Sequence, residues 1–177
     1  MLVDIGVRNF AFDRKRIYDA IGNDVEFQRQ VLLAADLILS SVKLGGKILI
    51  FGNGGSAAEA QHLAAEFVCG ARRGHPTFPA FALTANSSVV TARSNDYGFE
   101  NVFSDQIAVL GKPGDAAIGL TTSDVNFENG HSLNVRNAFT AAKEKRMATI
   151  GLFGSKTKKL LSLVDAKIVV PSDDTAL

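Results

Sequence analysis

The chain reads as an α/β domain, a three-layer αβα sandwich in which a parallel sheet is covered by helices on both faces. From residue 46 onward, short apolar segments rich in β-formers alternate with helical ones. Strands are predicted at 47–52, 79–84, 115–120, 147–153 and 166–170, and helices at 56–69, 87–94, 100–110, 132–145 and 157–163. Strands that are apolar on both faces and separated by helices imply parallel pairing with right-handed crossovers. The length of 177 residues, 46% of them hydrophobic and 21% charged, suits one domain with a real core.

Before the alternation, residues 9–45 are helical in pattern. Residues 1–8 read as a loose end. Asn9 can cap a first helix with an apolar stripe at Ile17, Ala20 and Ile21, and Gly22-Asn23-Asp24 breaks it. Asn23 or Asp24 is the next cap. The second helix runs to about Leu44, with Phe27, Val31, Leu32, Ala35, Ile38, Leu39 and Val42 at three- and four-residue steps. This N-terminal helical hairpin carries more apolar face than it can bury by itself, which predicts packing on the sheet and on another subunit.

Bulk properties exclude several classes. A net charge of +1 points neither to nucleic acid nor to a membrane surface. No apolar run is long enough for a bilayer, and Met1-Leu2-Val3-Asp4 shows no basic, apolar leader. The single cysteine, Cys69, cannot form an internal disulfide and fits a reducing, cytoplasmic setting. With no base beside it, Cys69 reads as packing.

The segment Lys47–Glu66, KILIFGNGGSAAEAQHLAAE, carries the chemistry. An apolar strand feeds the turn Gly52-Asn53-Gly54-Gly55-Ser56, which opens an Ala-rich helix. The first amides of a helix have no intrahelical partner and its dipole favours negative charge there, so the turn is an anion cradle. It matches neither the dinucleotide glycine pattern nor a Walker loop; the plain alternative is a tight strand-to-helix turn. A second hydroxyl-rich turn, Thr121-Thr122-Ser123, ends the DAAIGL strand, and Ser132 stands at the next helix start, either as its cap or on the same anion. Ligands of parallel sheets lie beyond the carboxyl ends of the strands, which gathers four loops in one place: Gly52–Ser56, Thr84–Ser88, Asn95-Asp96 and Thr121–Ser132.

His62 and Glu66 are four residues apart on one face of the first helix after the turn. They can hold a divalent metal, supply an acid/base pair, or form an ordinary exposed pair. Asn95-Asp96, before Tyr97-Gly98, is either turn chemistry or an amide and a carboxylate aimed at sugar hydroxyls. His75 reads as a surface-loop residue, His131 as a weak ligand contact, and Lys156, Lys158 and Lys159 as a solvated face.

Taken together, FGNGGSAAEAQHLAAEF, FPAFALTANSSVVTARSNDYGFENVFSDQI and GDAAIGLTTS closely resemble the phosphoheptose isomerases, proteins of the sugar-isomerase (SIS) domain family, over about residues 25–175. The resemblance implies a flavodoxin-like, five-stranded parallel sheet and a cytoplasmic homo-oligomer, a tetramer or a dimer, with active sites between subunits. It implies aldose–ketose isomerisation of sedoheptulose 7-phosphate to D-glycero-D-manno-heptose 7-phosphate, a step of carbohydrate metabolism that supplies heptose for lipopolysaccharide. By motif, Ser56, Thr121, Ser123 and Ser132 resemble phosphate ligands, and Thr122, in the same hydroxyl-rich turn, joins the substrate-binding set. Asn53, Gly54, Gly55, Asn95 and Asp96 resemble sugar-phosphate contacts. His62 and Glu66 resemble two ligands of a zinc ion, with Glu66 doubling as the proton-transfer base.

Two departures stand against that pattern. The family's compact Ser-Thr-Ser-Gly-Asn-Ser loop is here interrupted by Asp124-Val125-Asn126-Phe127-Glu128-Asn129. The insertion adds two carboxylates beside the anion site, which weakens binding unless the loop swings away, and it is open to disorder without ligand. The family also continues past Pro171-Ser172-Asp173-Asp174-Thr175 into an Arg-Ile-Gln-Glu-x-His helix bearing further metal ligands, whereas this sequence stops at Leu177. The expectation is an incomplete zinc site and weak or absent turnover. The alternative function is a non-catalytic phosphosugar-binding adaptor of the same family, of the type that binds the replication initiator. A phosphosugar-responsive regulator is disfavoured, since no helix-turn-helix or basic region accompanies the pocket.

Overall fold

A computed structural model describes residues 2–172, with side chains from Asn9 onward. Two helices come first, α1 (Leu2–Asn23) and α2 (Val25–Lys43). The alternating part follows: β1 (Ile48–Gly52), α3 (Gly55–Cys69), β2 (Ala80–Ala82), α4 (Ser87–Tyr97), α5 (Ser104–Leu110), β3 (Ala116–Thr121), α6 (Leu133–Glu144), β4 (Ala148–Gly154) and β5 (Ala166–Val170). All five strands are parallel, in the order β2-β1-β3-β4-β5. The order reverses after β1, so a crevice opens between the β1 and β3 loops.

Alternation along β1 divides the core into two layers. Leu49 and Phe51 face a cluster with Ile107 of α5 and Val135, Ala138 and Phe139 of α6. Ile48 and Ile50 face the other side, against Ala34 of α2 and Ala60 and Ala64 of α3. The sandwich is therefore α2 and α3 on one face, the sheet, and α5 and α6 on the other. β1 is buried throughout and β3 and β4 nearly so, as parallel strands between helices are.

Several predicted boundaries move. Residues 1–8 do not form a loose end where they are described: α1 begins at Leu2, and Asn9 lies inside it rather than capping it. Gly22 and Asn23 stay helical, and the break falls on Asp24, whose Oδ1 accepts from the Phe27 N–H at 3.0 Å as the α2 cap. The helix predicted at 87–94 runs on to Tyr97, and the one at 100–110 divides into a 3₁₀ turn at Phe99–Asn101 followed by α5. The segment 157–163 yields only a 3₁₀ turn at Leu161–Leu163. Asp173, Asp174 and Thr175, in the lead-in to the further helix expected from the resemblance, lie outside the described residues.

Candidate functional site

At the carboxyl end of the sheet, a cavity of about 540 Å³ opens between the β1–α3 turn and the β3–α6 loop. Asn53, Gly54 and Ser56 form one wall; Thr121, Thr122, Ser123 and Ser132 form the other. Both hydroxyl-rich turns singled out from the sequence thus converge on one space. Gly52 permits the approach. A Cβ there would lie 2.8 Å from the Ser56 Cβ and 2.9 Å from the Leu120 carbonyl, so any side chain would push the two loops apart. Gly54 has φ 54° and ψ −120°, a conformation open to glycine, and it lets the chain turn sharply into α3. The amides of Gly55 and Ser56, the first two of α3, have no intrahelical partner, whereas the Ala57 N–H already donates to the Gly54 carbonyl at 3.0 Å. Gly55, the first residue of α3, is not part of the cavity wall.

The two walls are tied together by a pair of amides. Asn53 Nδ2 donates to Asn134 Oδ1 at 2.9 Å, and Asn134 Nδ2 returns a bond to Asn53 Oδ1 at 2.8 Å. Asn134 Oδ1 also accepts from the Val135 N–H at 2.9 Å, so the amide is anchored at the start of α6. Sequence reasoning did not single out Asn134; its only signal was a position two residues after Ser132. Ser132 itself is buried in the left-handed region at φ 58° and precedes α6 without a side-chain capping bond. Its hydroxyl is therefore left to the cavity rather than used as a cap.

The hydroxyls are not equivalent. Thr121 Oγ1 donates to the Ser123 carbonyl and accepts from the Ser123 N–H, both at 3.1 Å. It shapes the turn from within, while Thr122, Ser123 and Ser56 carry the hydroxyls that no described protein group occupies. The Thr157 hydroxyl supports the same turn through the Ser123 carbonyl at 3.2 Å.

The insertion behaves differently from the expectation of two carboxylates crowding the anion site. Asp124 turns away: its Oδ1 accepts from the Lys159 N–H at 3.0 Å. Lys159 is accordingly not a merely solvated residue, since its Nζ also donates to the Val125 carbonyl at 2.7 Å. Val125 is buried in the core. Glu128 is exposed and is not part of the cavity wall. The segment forms a hydrogen-bonded loop whose far end, Asn129, Gly130 and His131, completes that wall.

Asn95 and Asp96 are exposed in the last turn of α4, where Asn95 Nδ2 donates to Asp96 Oδ1 at 2.7 Å; neither lines the cavity. The chain reverses at Gly98, φ 88°, and presents Phe99 and Glu100 to the cavity instead. The Asn137 amide holds the Glu100 carbonyl at 3.0 Å from α6.

His62 and Glu66 do share one face of α3, with Nε2 and Oε1 3.7 Å apart. That face is open, with side chains 71% and 41% exposed, and it lies outside the cavity wall. At about 1.5 Å of rise per residue, His62 lies ~9 Å along the helix from Ser56. Imidazole and carboxylate are suitable zinc donors, but structural and catalytic zinc take at least three protein ligands. Among the described residues, no group of three or more His, Cys, Asp or Glu side chains could hold a metal. The pair supplies two donors, one short of the smallest such set. Cys69, expected to pack, is instead exposed at the end of α3.

Comparison with known proteins places this geometry. Residues 18–154 match the SIS domain model. The phosphoheptose isomerase of Roseiflexus sp. is 46% identical over 153 residues, which cover 86% of this chain and 75% of that protein. The solved phosphoheptose isomerase of Neisseria gonorrhoeae superposes with a TM-score of 0.83 at 38% identity, covering 99% of this chain and 89% of that one. A phosphoheptose isomerase from Francisella tularensis superposes with a TM-score of 0.87 at 29% identity, with the same coverages.

Proposed function

The chain belongs to the SIS-domain family and, within it, to the phosphoheptose isomerases, and on that footing we propose that it interconverts sedoheptulose 7-phosphate and D-glycero-D-manno-heptose 7-phosphate. The observation that carries the proposal is the convergence of Ser56, Ser123 and Ser132 on one cavity at the start of α3. Hydroxyls and amides at a helix start suit a phosphomonoester, and they leave the sugar free to extend from it.

With the phosphate held there, the far end of an extended seven-carbon chain runs along α3 toward His62 and Glu66. Glu66 is the proposed base. It takes the C1 proton of the ketose, the electron pair forms the C1–C2 double bond, and the C2 oxygen takes a proton to give the enediol. Returning a proton to C2 while the C1 hydroxyl loses its own gives the aldose. A zinc ion is proposed at His62 and Glu66, with its remaining ligands from outside the described residues; when bound, it would polarise the carbonyl oxygen as a Lewis acid. A homo-oligomer with sites between subunits belongs to the same reading, since a neighbouring copy could close the open face of α3.

The second reading, a phosphosugar-binding adaptor without catalysis, is favoured by one observation: the His62–Glu66 pair stands off the cavity wall with no third ligand among the described residues. Incubation with sedoheptulose 7-phosphate and zinc in deuterated water separates the two. Isomerisation incorporates solvent deuterium at C2 of the aldose, and Glu66→Gln abolishes it while leaving sugar-phosphate binding within about threefold. Tight binding without any exchange would favour the adaptor.

A further inference from the structure

Among the described residues, two ionisable ones line the cavity, Glu100 and His131. A phosphate dianion is repelled by the first, and the hydroxyls and amides around it carry no net charge to offset that. His131 comes from the inserted loop, and the loop is built to fix its place. Val125 is sunk in the core, and Lys159 clamps the segment through Asp124 and the Val125 carbonyl. Asn126 then closes the loop. Its N–H donates to the His131 carbonyl at 3.0 Å, and its Oδ1 accepts from the Glu128 N–H at 2.8 Å. Asn129 Oδ1 accepts the His131 N–H, also at 3.0 Å.

Both backbone groups of His131 are therefore engaged, while its ring makes no hydrogen bond or ion pair with the described residues. A ring held at a cavity wall by its own backbone, next to Ser132, is a donor waiting for an acceptor. We propose that His131 is a phosphate-binding residue, contributed by the insertion, whose ring N–H donates to the phosphate group of the sugar phosphate. The insertion then adds a nitrogen donor to the anion site, and its own carboxylates are kept off the wall. Phe127, stacked beneath the cations of Arg136 (5.6 Å) and Lys159 (5.2 Å), holds the outer side of the same loop.

This inference rests on the phosphosugar reading of the cavity, and its test keeps the two apart. Dissociation constants for sedoheptulose 7-phosphate and for inorganic phosphate are measured by calorimetry on the whole chain, on Ser56→Ala, on His131→Ala and on His131→Gln. A charge-assisted bond predicts that His131→Ala weakens both ligands by about tenfold or more, with His131→Gln between the two because its amide still donates. The thermal midpoint without ligand should stay within about 2 °C, since His131 is exposed and its ring makes no hydrogen bond or ion pair with the described residues. If Ser56→Ala loses affinity while His131→Ala binds both ligands within about twofold of the parent, the His131 assignment is overturned and the cavity reading stands. If the parent chain binds neither ligand, both fall together.

Discussion

Asn134 is the single side chain on which the site's shape depends most. Its amide is buried and spends both ends on Asn53, so the two turns are held at a fixed separation. Replacing it by Ala leaves the Asn53 amide unpaired beside the cavity. The expected loss is about 1–2 kcal/mol of stability in urea unfolding, from the bonds lost to the half-buried Asn53 amide and the Val135 N–H. Sugar-phosphate affinity should fall with it; unchanged stability and affinity together would show that the amide pair does not hold the loops. Gly119 makes a comparable point inside the sheet. A Cβ there would stand 2.7 Å from the Phe51 ring and also collide with Phe139, so Gly119→Ala should cost about 1–3 kcal/mol through overpacking. Equal denaturation midpoints for variant and parent would refute that.

At the level of elements, the strand β3 is tethered to β1 by more than its ladder. Asp115, buried at its start, accepts from the Lys47 N–H (2.9 Å), the Lys112 N–H (2.8 Å) and the Lys47 ammonium (2.5 Å). Asp115→Ala strips partners from two backbone amides and leaves a half-buried cation, so a loss of about 3 kcal/mol is expected on thermal unfolding. A loss below ~1 kcal/mol would mean water replaces the carboxylate freely. The start of α2 depends on a solvated pair instead: Arg29 and Gln30 bond the Glu26 carboxylate and hold it down at about 2. Its contribution is present above the ordinary value of 4.5 and disappears as pH falls through about 2, so acid titration monitored at α2 should show a late step there.

Much at this scale was legible in the sequence. Apolar runs bounded by glycine marked the strands, and the sequence offered Asn23 or Asp24 as the α2 cap, of which Asp24 takes it by accepting a first-turn amide. The misplaced segments are those where tertiary contacts overrule pattern. Residues 157–163 have helical composition, yet Thr157 and Lys159 are spent on holding the β3–α6 loop. Gly98 turns Phe99 and Glu100 into the cavity, which no local period signals. The two hydroxyl-rich turns that line the cavity were readable because their glycines and hydroxyls are local in sequence. Asn134 was not, because its meaning lies in a partner 81 positions away.

For the whole molecule, apolar side chains left open on the first two helices argue for association. Phe12 and Tyr18 on α1 and Leu32 on α2 are 64%, 68% and 67% exposed. An oligomer that covers them should give a solution mass at least twice 18.8 kDa in light scattering. A monomer mass at every concentration would contradict this.

The central claim is that one phosphate sits between the β1–α3 and β3–α6 turns. A crystal structure with sedoheptulose 7-phosphate tests it most directly. The account predicts phosphate oxygens within hydrogen-bond distance of Ser56 and Ser123, with the sugar pointing along α3. A phosphate bound elsewhere on the chain, with these serines facing only water, would contradict it.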